Sequence, residues 1–133
     1  MRLLLVLLLS LTPSLLFAQT PTPNPTRAEF NVSDNHNGDH FGTPIVDHYE
    51  LEIVVSSNGA LFLTVGIGKP VAPDGGQVTV PIAQLATLPR NIVHYAVVSA
   101  VGPGGSGRSG PSNLFMRVDP VPAPAPASGL VVR

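Results

Sequence analysis

From residue 19 onward no stretch of the chain repeats its apolar side chains at the 3.6-residue spacing of a helix. They alternate instead with polar residues in short runs, cut by Gly, Pro, Asn and Asp about every ten residues. Each run buries one face and wets the other, which predicts an all-β, antiparallel β-sandwich.

Residues 28–32 set Ala28, Phe30 and Val32 against Glu29 and Asn31. Residues 45–56 resume the pattern, with Tyr49, Leu51, Ile53 and Val55 inward and Glu50 and Glu52 in water. Asn58-Gly59 is the strongest hairpin signal, because both residues tolerate the positive φ of a type I′ turn, and residues 61–66 form the returning strand. Residues 77–82 alternate Val78 and Val80 with Thr79 and Pro81, and Leu85 and Leu88 mark one helical turn or an irregular corner. Residues 92–101 are apolar on both faces and read as a central strand. A glycine-rich stretch, 102–110, precedes a closing strand at 113–118.

Met1 and Arg2 lead into an apolar run from 3 to 17 that ends at Ala18, the pattern of a secretory signal peptide. The run is shorter than the roughly 20 residues that span a bilayer and Pro13 interrupts it, so cleavage at residue 18 is expected and membrane contact is transient. The expected destination is extracellular or periplasmic. The chain has no cysteine, which excludes both a disulfide framework and a lipidated N-terminal cysteine. The remainder suits one domain: a Pro/Thr-rich leader at 19–27, a body at 28–118 and a Pro/Ala-rich tail at 119–133, whose residues 129–132 read either as a frayed end or as a short strand.

With Arg2 removed, six basic side chains face eight acidic ones, a net charge of −2 that offers nucleic acid no basic face. Charged residues are only 11% of the chain against roughly 25% in ordinary soluble domains, so Ser, Thr, Asn, Gly and Pro must cover much of the surface.

Pro44-Ile45 leading to Tyr49, Leu88 ahead of Tyr95, and Ser112-Asn113 after the glycine-rich stretch together resemble a fibronectin type III domain. The resemblance spans residues 28–118 and implies an immunoglobulin-like sandwich acting as a non-catalytic binding or spacer module. It gives Leu85 or Leu88, with Tyr95, the corner that locks the two sheets. Two departures stand out. The chain has no Trp, which makes Phe30 the replacement at the core centre. The proline-rich leader also leaves little room for a first strand, so the sandwich is expected to be one strand short. Residues 129–132 are the candidate to fill the vacant edge, in their own molecule or in a neighbour. An assembly subunit that exchanges this strand is therefore the alternative function.

By the family's topology, loops 33–43 and 102–110 lie at one end and form a composite contact surface. Its candidate residues are Asp34, His36, Asp39, His40, Arg108 and Ser109. A protein or glycan is the expected partner, with the chain monomeric or weakly self-associating. Asp34, His36, Asp39 and His40 do not fit the calcium-loop template, and no metal or cofactor is expected. Ser106 and Ser109 lie among glycines rather than beside an oriented base, which argues against a nucleophile. Gly107-Arg108-Ser109 is not an Arg-Gly-Asp tripeptide, so integrin binding is not implied. His48 and His94 read as surface or core-edge residues.

Overall fold

The computed structural model describes residues 19–133, and the signal-peptide reading of residues 1–18 lies outside them. Alternation becomes strand throughout the body: β1 (Thr22–Pro23), β2 (Arg27–Asn31), β3 (Asp39–His40), β4 (Thr43–Pro44), β5 (His48–Val55), β6 (Leu61–Gly68), β7 (Gln77–Pro81), β8 (Val93–Gly102), β9 (Gly105–Arg108) and β10 (Phe115–Met116). A single 3₁₀ turn, Ala83–Thr87, makes the corner between β7 and β8 and carries the buried Leu85. Apart from this turn, the regular structure of the described residues is all β.

The larger sheet runs β1-β10-β8-β5-β6, with β9 on the same side of β8 as β10; β2 pairs with β7, and β3 with β4. Leu51, Ile53, Val65, Ala96 and Phe115 of the large sheet pack against Ala28, Val80, Ile82, Leu85 and Leu88 on the β2–β7 side. A second cluster, at the end where β2 leads out and β5 begins, joins Val32, Val46 and Tyr49 with Phe30 and Val78. Burying apolar area at about 25 cal/mol per Å² is the main stabilising term in a body without disulfides.

Four local expectations are corrected. First, the leader does make a strand. Prolines at 21, 23 and 25 leave alternate residues free to donate, and Thr22 N–H bonds Leu114 O and Asn24 N–H bonds Met116 O, both at 2.9 Å. β1 thus lies parallel to β10 rather than beside β2, while residues 129–132 form no strand. Second, Asn58-Gly59 is not a type I′ pair. Asn58 Oδ1 accepts from Ala60 N–H at 2.9 Å, and only Gly59 takes a positive φ, closing a longer loop from Val55 to Ala60. Third, Tyr95 is half-buried on the outer face of β8, because its neighbour His94 and then Ala96 turn inward. Leu88 is fully buried in the main core, without Tyr95 beside it in that cluster. Fourth, Phe30 is half-buried and rests on Tyr49, ring centroids 5.5 Å apart, at the rim of the second cluster.

The β5–β6 pairing slips at Ile53/Val54, where Ile53 faces Leu63 but Val54 faces Leu61. The extra residue, Phe62, meets His94 edge-on at 5.7 Å, and Phe115 stacks on the same imidazole at 6.0 Å.

Candidate binding surface

The polar stretch between β2 and β5 is pinned down by its own residues. His36 is buried, with Nδ1 2.9 Å from Tyr49 Oη and Nε2 2.8 Å from Pro70 O. A carbonyl only accepts, so Nε2–H donates to Pro70 and Nδ1 accepts from the tyrosine hydroxyl; the tautomer is assigned from these partners. Tyr49 Oη in turn accepts from Ser33 N–H at 3.0 Å. Burial pushes the Tyr49 hydroxyl's pKa above its ordinary value. Asn37 N–H donates to Asp74 Oδ1 at 2.7 Å and its side-chain amide to Ala72 O at 2.9 Å. Lys69 Nζ reaches Val46 O at 2.8 Å. The β2–β5 and β6–β7 connections are thereby zipped into one layer.

The β8–β9 turn closes against the same layer. Asp47 N–H bonds Val101 O, and a Cβ on Gly102 would lie 1.9 Å from Ile45 O, so only glycine allows this approach. The residues met by this approach are Ile45 and Val46, which follow segment 33–43 rather than belong to it. Residues 102–110 are not a loop: Gly105–Arg108 is a strand, and only Pro103-Gly104 turns. Arg108 lies opposite Ser99, three residues down the ladder from the turn, and forms an ion pair with Glu52. Ser109 Oγ accepts from Val98 N–H at 3.0 Å and donates to Gly110 O at 2.8 Å. Both belong to the sheet, roughly 10 Å or more from the loop layer at 3.3 Å per residue.

Asp34, Asp39 and His40 are exposed in the loop layer, but His36 points into the core, so these four do not converge. Among the described residues no three or more metal-ligating side chains gather, and no Ser or Thr hydroxyl is hydrogen-bonded to a histidine.

Phe41 is the functional candidate that pattern reading passed over. It sits with Gly42 at the tip of the β3–β4 hairpin, both at positive φ (51° and 81°), the geometry of a type I′ turn. Left-handed backbone is unfavourable for an aromatic residue, and this ring is 96% exposed. His40 meets it edge-on, centroids 4.5 Å apart. Val71, also fully exposed, belongs to the other connection of the same layer, and Asp34, Asp39 and Asp74 add negative charge there. The only sequence signal was a Phe-Gly pair inside an otherwise polar segment.

His48, on the outer face of β5, lies between Asp47 Oδ2 at 3.0 Å and Glu50 Oε1 at 3.2 Å. Hydrogen bonds to Asp47 first and Glu50 second hold its pKa above the ordinary 6.5. Comparison with protein-family models, curated proteins and solved structures finds no match to this chain.

Proposed function

We propose that this chain is a secreted or envelope-associated, non-catalytic binding or spacer module of the fibronectin type III kind, which meets a protein or glycan through the loop layer around Phe41. The β2–β7 pair packed on the sheet of β6, β5, β8 and β10 gives the two-layered β-sandwich on which such a reading rests. One observation carries the functional reading: Phe41, fully exposed, is held in a costly backbone conformation on a hairpin that begins just after the buried, hydrogen-bonded His36. Strained residues persist where surrounding structure over-determines them, and they cluster at recognition sites.

The test is to screen the purified protein against immobilised glycans and envelope or extracellular proteins, then repeat each hit with two variants. Phe41→Ala is expected to weaken a genuine partner by at least about tenfold, the cost of losing a buried aromatic anchor, with unchanged melting temperature. Arg108→Ala, on the sheet, is expected to leave the partner bound. The reverse order of effects would move the site off the loop layer.

A further inference from the structure

The edge of β2 that faces away from β7 is open. Val32 N–H bonds Gly76 O and Ile82 N–H bonds Thr26 O, so the even-numbered residues of this segment ladder with β7. Arg27, Glu29 and Asn31 therefore turn their N–H and C=O groups outward, where among the described residues no strand pairs with them. Charged side chains often bar such an edge. Here Arg27 and Glu29 pair with each other at 3.3 Å on the solvent face, while Ala28 and Phe30 line the inside.

Because β1 pairs with β10, the two layers do not close along this side. A groove of about 930 Å³ runs between β2 and residues 109–113, and core residues Leu51, Ala96, Val98 and Leu85 show at its floor. An apolar floor beneath an unpaired backbone edge is the form of a site for one added strand.

The same chain carries a segment of suitable character that none of the described residues covers. Leu130 and Val132 are 91% and 89% exposed, and Val131 lies between them. They follow Gly129, at φ 74°, which ends a run with proline at 120, 122, 124 and 126. Proline at this density favours extended polyproline II at about 3.1 Å per residue, so residues 119–128 form a stiff spacer of roughly 30 Å. The spacer leaves the body beside the groove, since Val118 N–H donates to Asn24 Oδ1 at 2.9 Å and Asn24 lines the groove. To enter its own groove the tail would have to double back through that stiff run.

We propose that the groove beside β2 accepts residues 129–132 of a second copy of this chain as an added strand, with Leu130 and Val132 inward over Leu51 and Ala96. The contact is head-to-tail, since the donor's tail meets the acceptor's body, and each acceptor keeps a free tail to donate onward.

The chain has no native cysteine, which makes the test direct. Glu29→Cys and Val131→Cys, both at exposed positions, are purified separately, mixed and treated with a short bis-maleimide. The expected result is a dominant Glu29→Cys/Val131→Cys heterodimer, reduced at least fivefold when the Val131→Cys chain also carries Leu130→Asp and Val132→Asp. Sedimentation of the unsubstituted protein should show a mass that rises with concentration, and Leu130→Asp/Val132→Asp should hold it at monomer. Random proportions of the three cross-linked dimers, or a monomeric mass at every concentration, overturn the proposal. So does preferential cross-linking within one chain of the Glu29→Cys/Val131→Cys double variant, which would place the tail in its own groove.

Discussion

His36 and His94 are equally hidden from water, yet His36 has a hydrogen-bond partner at each ring nitrogen and His94, among the described residues, has none. The two mark opposite ends of the body. At the loop layer, directed bonds from His36 hold polar backbone in one arrangement. At the far end, His94 serves as a flat aromatic body between Phe62 and Phe115, and its polarity is a cost without a return. The difference teaches that a conformation without regular secondary structure needs bonds of fixed direction, whereas a strand already in a ladder needs only shape.

The sharpest way to break the contrast is His36→Ala. It removes both bonds, strips the Tyr49 hydroxyl of its acceptor and opens a cavity, for an expected loss of about 3 kcal/mol in denaturant titration. A loss below about 1 kcal/mol would show that the loop layer holds itself without the histidine.

His94→Phe should act in the opposite direction, raising stability by about 1–2 kcal/mol because two orphaned nitrogens disappear from the interior. It should also flatten part of the pH profile. Burial holds the His94 pKa below its ordinary 6.5, so on acidification the unfolded chain takes up this proton before the folded one. The stabilising contribution of neutral His94 is full above 6.5 and is lost as the pH falls from there through the lower folded value. A variant that melts along the same acid curve as the unsubstituted protein would contradict this assignment.

Phe41→Asn should raise stability by up to about 1 kcal/mol, because Asn accepts the left-handed backbone that Phe resists. Unchanged or lower stability would mean that the exposed ring is held by contacts that offset its strain. The smallest effect belongs to His48. Its raised pKa means that the charged form is favoured by folding, a contribution present below 6.5 and lost as the pH rises through the folded value. Its imidazole resonances should titrate at lower pH in Asp47→Asn, with little change in melting temperature in moderate salt.

Much of the strand layout is written in the chain where charge breaks the symmetry of the two faces. In β5, Glu50 and Glu52 mark the wet side, and Tyr49, Leu51 and Ile53 are buried as their parity requires. In β8 both faces are apolar and nothing local separates them. Tyr95 goes outward because Val54 and Val97 lie on the glutamate side of the sheet, a fact of pairing rather than of pattern. The role of His36 was equally hidden: its partners lie 13 and 34 residues away, and the local sequence is that of a solvated turn. Arg108 and Ser109 were misread because glycines signal a loop, yet a glycine-rich strand forms readily when β8 supplies the other half of the ladder.

The leader was also misread: alternate prolines bar a central strand and leave little room for a first one, yet they allow an edge strand. Their period is 2, which is the period of the strand itself. The prolines at 21, 23 and 25 fall on the side of β1 that faces away from β10, and that rim of the large sheet therefore offers carbonyls but no N–H donor along the strand. A ladder requires both. The large sheet is thus terminated chemically on this flank, so another chain arriving there finds no donor to bond and the strand count cannot grow past β1.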